Sequence, residues 1–157
     1  MIGKRVADAV SLQNDMELIG ISDIGAGWRV KIAAHKGYSV YSSTPEAKKQ
    51  MTVSGLKIAG TLEDLIKKVD VVVDATPKGI GAKNKPLYDR EKVKSIFQGG
   101  EKHELTDFSF VAQTNYADAL GRDSARCVSC NTTGLARIAG ALHQKTLVKK
   151  ARAVLFR

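Results

Sequence analysis

Val69-Asp70-Val71-Val72-Val73-Asp74 runs directly into Ala75-Thr76-Pro77-Lys78-Gly79-Ile80-Gly81-Ala82. The first run is almost continuously β-branched, the pattern of a buried strand in a parallel sheet. The second is rich in turn residues and reads as the loop leaving that strand. Working upstream, Thr61 heads a helix that runs to about Lys68, with Asp64 three residues on as a weak capping pattern. Thr44 caps a charged helix over 45–50, a short strand is expected over 38–41, and a short helix over 30–36 ends at Gly37. Gly25, Ala26 and Gly27 make a turn, 17–22 reads as a strand, and 2–13 carries helical periodicity at Ile2, Val6, Ala9, Val10 and Leu12. Working downstream, strands are expected over 93–98, ended by Gly99-Gly100, and over 125–129. A helix over 131–145 places Leu135, Ile138, Ala139 and Leu142 on one face, and 151–156 begins a last strand. Alternating strands and helices define an α/β fold, a Rossmann-type doubly wound parallel sheet. Such sheets open with a strand and this chain opens with a helix, so a first strand is expected upstream of Met1.

The composition fits this frame. A chain of 157 residues is long enough to bury a core, and 43% hydrophobic with 26% charged residues is globular rather than disordered. No apolar run reaches the ~18 residues that a membrane span needs. Met-Ile-Gly-Lys-Arg has no apolar segment behind its charges, so a cytoplasmic protein without a secretory signal is expected. The net charge of +9 raises nucleic-acid binding. The basic residues, however, come as dispersed pairs (Lys48-Lys49, Lys67-Lys68, Lys149-Lys150), and 6% aromatics give no stacking platform. The field suits small phosphorylated anions at least as well. Cys127 and Cys130 have C-x-x-C spacing, but His35, His103 and His143 are scattered and offer no second ligand pair, so no metal site is expected.

Two constellations carry chemistry. Gly3 opens the first helix and Asp23 follows 20 residues later at the end of the next strand. That is the offset at which an acidic side chain accepts hydrogen bonds from an adenosine ribose; the plainer reading is that Asp23 starts a turn before Gly25. In Ser129-Cys130-Asn131-Thr132-Thr133 a cysteine stands where a strand meets a helix. Unpaired amides and the helix dipole there favour the thiolate, and thus a nucleophile; the plainer reading is an inert cysteine among polar neighbours.

Met1–Ser22, the Val72–Gly81 segment, Phe97-Gln98-Gly99-Gly100-Glu101-Lys102 and Val128-Ser129-Cys130-Asn131-Thr132-Thr133-Gly134-Leu135 together resemble archaeal-type (type II) glyceraldehyde-3-phosphate dehydrogenase, in order and with compatible spacing. The resemblance implies that Cys130 is the catalytic cysteine, with Ser129 and Asn131 beside it in substrate binding. It implies that Met1, Ile2 and Gly3 meet the cofactor pyrophosphate and that Gly100 contacts the nicotinamide cofactor. It further implies a phosphorylated aldehyde and inorganic phosphate as substrates, a homotetramer, and no membrane partner. The family's general-base histidine lies in a catalytic domain beyond Arg157, and none of His35, His103 or His143 matches its motif. The expected division is thus a nucleotide-binding part over 1–129, incomplete at its start, and the beginning of a catalytic domain over 130–157. The chain alone is expected to be inactive. Family members carry lysine-threonine, suited to a 2′-phosphate, where this chain has Asp23-Ile24, so NAD is expected in preference to NADP. The rivals are another cysteine-dependent semialdehyde dehydrogenase and a stand-alone nucleotide- or RNA-binding module.

Overall fold

A computed structural model of the chain describes residues 2–154. They form two compact units: Met1–Val73 with Lys85–Val93, and Asp74–Asn84 with Lys94–Arg157. Among the described residues no helix is long and apolar enough to cross a membrane.

The first unit opens with α1 (Ile2–Val10) and continues with β1 (Ile21–Asp23), α2 (Trp28–His35), β2 (Val40–Ser42), α3 (Pro45–Val53), β3 (Ile58–Thr61), α4 (Leu62–Ile66) and most of β4 (Val71–Asp74). Strands β1, β2 and β3 form one parallel sheet in that order, with Asp23 opposite Ser42 and Ser42 opposite Thr61. The helix start signals are used as the sequence predicts. Thr44 Oγ1 accepts from the Ala47 amide at 3.1 Å. Thr61 and Asp64 close a reciprocal capping box, in which the Thr61 amide donates to Asp64 Oδ2 at 2.8 Å and the Asp64 amide to Thr61 Oγ1 at 3.4 Å. The core beneath this sheet is Val30, Val40, Ala47, Met51 and Leu56, with Ile21, Ala26, Ala34 and Ile58 packed against it. Full burial of each Val, Met or Leu among them contributes ~1.5–3 kcal/mol of transfer free energy.

Near the C-terminal end of α1 the Asp8 carboxylate takes three partners: Lys4 Nζ at 2.8 Å, Lys36 Nζ at 2.8 Å and the Tyr38 hydroxyl at 2.9 Å. Lys36 foremost, then Lys4 and Tyr38, hold the Asp8 carboxyl well below the usual carboxylate range. A group depressed in the folded state stabilises above its unfolded pKa, and that contribution is lost as pH falls toward the folded value. Asp8→Asn is therefore expected to lower the melting temperature at pH 7, with the gap to the parent closing below pH ~4, where the unfolded carboxyl protonates. A gap of equal size at pH 7 and pH 2 would show that the network does not couple to folding.

In the second unit, β5 (Lys94–Phe97), β7 (Ser124–Cys127) and β6 (Ser109–Phe110) lie side by side in that order, all parallel, with Phe97 opposite Arg126 and Arg126 opposite Ser109. A 3-10 turn (His103–Leu105) and α6 (Ala112–Ala119), kinked at Asn115, fill the connections, and α7 (Cys130–Thr146) follows β7. Phe97, Phe108 and Val111 are buried here, and the Arg122 guanidinium stands 4.1 Å from the centre of the Phe108 ring. α5 (Ile80–Arg90) runs on from the loop after β4 and through the division between the units.

Several expectations are corrected. The strand over 17–22 forms only as Ile21–Asp23. The run over 69–74 forms a strand only from Val71, which is 48% exposed, so its β-branched character reports strand propensity more than burial. Ile80, Gly81 and Ala82 are helical rather than loop, since Pro86 inside α5 hides a helix that carries it. No strand forms over Ala151–Val154, where no ladder partner is present among the described residues, and Leu155 and Phe156 lie outside them. The apolar face on α7 exists, but Ile138 and Leu142 are exposed.

Candidate active site

Parallel α/β sheets place their ligands beyond the C-terminal ends of the strands. In the first unit β1 ends at Asp23, an exposed residue. Its Oδ1 accepts from the amides of Ile24 at 2.7 Å and Gly25 at 3.2 Å, so the turn reading of Asp23 is realised. The turn also fixes the carboxylate, and Oδ2 has no hydrogen-bond partner among the described residues. Asp8 ties the C-terminal end of α1 to Tyr38, which leads into β2. The first turn of α1 contains no acidic residue to compete with an anion for its amides. Met1, expected at the same pyrophosphate, lies outside the described residues.

Of the cations that follow Asp23 in sequence, Arg29, Lys31 and Lys36, two are engaged elsewhere. The Arg29 guanidinium stacks on Trp28 at 4.7 Å, and Lys36 is paired with Asp8 at 2.8 Å.

In the second unit the strand ends converge. β5 is followed by Gln98-Gly99-Gly100-Glu101, and the adjacent β7 by Val128-Ser129-Cys130, so Gly100 and Cys130 leave neighbouring strands at the same edge. Cys130 is the first residue of α7 and is exposed, with Sγ 3.9 Å from Asn131 Oδ1. Ser129 is the N-cap: its Oγ accepts from the Thr132 amide at 3.2 Å and lies 2.9 Å from Thr132 Oγ1. The hydroxyl expected to face substrate therefore serves the helix first. Beyond that cap, the amides of Cys130 and Asn131 have no partner among the described residues, so the helix end presents donors beside the thiol. Cys127 is different in kind. It is half-buried in β7, burial pushes its thiol up, and Gln98 Nε2 donates to its Sγ at 3.0 Å.

Two buried carboxylates hold this edge together, and residue type alone assigns neither a role. Asp74 is 4% exposed; its Oδ1 accepts from the Thr76 amide at 2.9 Å and from the Thr76 hydroxyl, while its Oδ2 accepts from Asn84 Nδ2 at 2.9 Å. The carbonyl of Asp74 takes the Gln98 amide at 2.7 Å. Glu101 is 6% exposed and accepts from the Gly79 amide at 2.7 Å. Burial of a carboxylate is unfavourable until donors are supplied; Asn84 and Gly79 supply them from 10 and 22 residues away, beside the local Thr76.

Gly100 has φ of +80°, a conformation that favours glycine, and its side-chain position faces open space. Gly99 is required for a different reason. A β-carbon there would collide with the Thr76 carbonyl oxygen, so the loop after β4 rests on the backbone of Gly99. Gly99→Ala is expected to cost about 2–3 kcal/mol through this overpacking, read as a lower urea midpoint. An unchanged midpoint would mean that the two loops part at no cost.

Parallel strands joined by helices, with loops gathered at their C-terminal ends, are the architecture of a Rossmann-type nucleotide-binding α/β protein. No family model matches the chain. Three curated proteins named glyceraldehyde-3-phosphate dehydrogenase do align with it. That of Methanobacterium formicicum is 48% identical over 157 residues, 99% of this chain and 46% of its own length. That of Methanococcoides burtonii is 51% identical over 156 residues, again 99% and 46%. That of Thermococcus kodakarensis is 54% identical over 143 residues, 91% of this chain and 43% of its own. The chain therefore spans about half the length of the curated relatives it matches, and over that half it is similar to archaeal glyceraldehyde-3-phosphate dehydrogenases.

Proposed function

We propose that the protein oxidises glyceraldehyde 3-phosphate with inorganic phosphate and a nicotinamide dinucleotide, and that Cys130 is the nucleophile. The observation that carries this reading is the exposed thiol at the first position of α7, beside amides that have no partner among the described residues. The Cys130 thiolate adds to the aldehyde carbon and forms a thiohemiacetal, while the amides at the start of α7 are placed to stabilise the developing oxyanion. Asn131 Oδ1, next to the thiol, takes the S–H before attack and orients it. Cys130 holds the aldehyde carbon at the site where a bound nicotinamide would supply the hydride acceptor. Phosphate then takes the acyl group from sulfur and restores the thiol. In this reading Ser129 acts on substrate through the cap it provides, and none of His35, His103 and His143 is the general base.

The residues of this chain fit a dinucleotide. Ile2 and Gly3, with Met1 before them, would meet the pyrophosphate at the start of α1. Asp23 Oδ2 would take the adenosine ribose, and the open side of Gly100 would border the nicotinamide. NAD is preferred over NADP because the Asp23 carboxylate repels a 2′-phosphate while Arg29 and Lys36 are engaged elsewhere. The same reading places the division between nucleotide-binding and catalytic parts at 129/130, the assembly as a homotetramer, and the protein in the cytoplasm.

The test is an assay of the protein purified from its natural source. NAD reduction is expected to require both glyceraldehyde 3-phosphate and phosphate, and to stop after iodoacetamide. Faster turnover of a semialdehyde, or turnover indifferent to phosphate, would overturn the substrate assignment. RNA retention that survives Cys130→Ala and excess cofactor would favour a binding module instead.

A further inference from the structure

We propose that Glu101 is a positioning residue for the cofactor side of this site, fixing the loop after β4 over Gly99 and Gly100 through the Gly79 amide. The inference deepens the dinucleotide reading above and rests on it.

Glu101 is unusual for its surroundings. It sits at the end of a glycine pair, yet its side chain turns inward and is buried, with Oε1 2.7 Å from the Gly79 nitrogen. A carboxylate is retained in such a place at a cost in desolvation, which an apolar residue of similar volume would avoid. What it secures is a backbone donor at a tight, glycine-specific turn. Gly79 has φ of +86°, and its amide points into the unit at the last turn before α5. The other end of the same loop is held by Asp74 through the Thr76 amide. Two buried carboxylates thus clamp residues 75–79 from either end, and the middle of the loop, at the Thr76 carbonyl, rests on Gly99.

The backbone of Glu101 is itself anchored. Its carbonyl accepts from Arg126 Nη1 at 2.6 Å, and Arg126 Nε donates to Ser109 Oγ at 2.8 Å, so β7 beside β5 and β6 beyond it take part. Gly100, flanked by Gly99 and Glu101, is therefore held in its left-handed conformation with its open side outward. Loss of the carboxylate leaves Arg126 in place and frees only the 75–79 loop, which separates this role from that of the strand scaffold.

The experiment compares the parent chain with Glu101→Ala and Glu101→Gln, by hydrogen exchange at residues 75–80 and by NAD titration. Glutamine keeps an acceptor for the Gly79 amide; alanine removes it. Glu101→Ala is expected to speed exchange across 75–80 and to weaken NAD binding about tenfold, with Glu101→Gln restoring most of both. If alanine prevents folding, Glu101→Leu removes the acceptor while keeping the buried volume. Faster exchange with unchanged NAD affinity would reduce Glu101 to a structural residue and overturn the proposal, as would equal damage from alanine and glutamine. A parent chain that bound no NAD would overturn the dinucleotide reading and this one with it. A parent that bound NAD, beside a Glu101→Ala variant that bound it equally well, would overturn this one alone.

Discussion

Cys130→Ser is expected to lower dehydrogenase turnover of the protein by roughly 10³-fold or more, the scale on which losing a covalent nucleophile is felt. Iodoacetamide is expected to alkylate Cys130 well before Cys127 at neutral pH. Cys130 is exposed at the first position of α7, and the amides about it complement a developing negative charge. Cys127 is half-buried, its thiol is pushed up by that burial, and the Gln98 amide covers its sulfur at 3.0 Å. A thiol raised in this way yields thiolate only at a pH above the ordinary thiol range, so Cys127 labelling should climb late in an alkaline series. Peptide mapping of the alkylated protein reads both sites at once. Cys127 labelled first, together with a Cys130→Ser protein that still turns over, would remove Cys130 from the mechanism.

The placement of Cys130 at a helix start was legible from sequence because its signals are local. A polar N-cap, a thiol and a periodic helix occupy adjacent positions, and the structure adds only that the Ser129 hydroxyl is spent on the cap. The same holds for Thr44 and for the Thr61–Asp64 box, where partners lie three residues apart. The features that escaped reading are those set by distant pairing. β3 is four residues long with Gly60 in its middle, and its strand character comes from its register with β2. β6 has two residues and exists because Arg126 and Cys127 of β7 lie opposite it. α6 is broken by Asn115, whose side chain turns to the Val111 amide and the Ser109 carbonyl instead of following a helical pattern. Asp74 and Glu101 read as surface acids by residue type, yet each is buried; Asp74 takes the nearby Thr76 but also Asn84, 10 residues away, and Glu101 takes Gly79, 22 residues away. Periodicity reports which face of an element is apolar, and carries no information about which loop will supply an amide to a carboxylate.

Asp23→Lys is expected to turn a preference for NAD into one for NADP. In the parent, the Asp23 carboxylate is fixed by the Ile24 and Gly25 amides through Oδ1, so a ribose would meet an acceptor already in place. A 2′-phosphate at that position would bring two like charges together. Such juxtaposition costs several kcal/mol where water is excluded, and less in the open. Asp23 is exposed, so the preference should be on the order of 10- to 100-fold, which corresponds to about 1.4–2.8 kcal/mol. Relief by a neighbouring cation is limited, because Arg29 stacks on Trp28 and Lys36 is held by Asp8. This yields a second arm: Asp8→Ala, by releasing Lys36, should soften the discrimination in the parent background without reversing it. The measurement is kcat/KM with each cofactor for the parent, Asp23→Lys and Asp8→Ala, at low ionic strength where exposed charges are least screened. Equal or better use of NADP by the parent would refute the role given to Asp23. An Asp23→Lys protein that still favoured NAD would place the discrimination elsewhere along the edge where β1 ends.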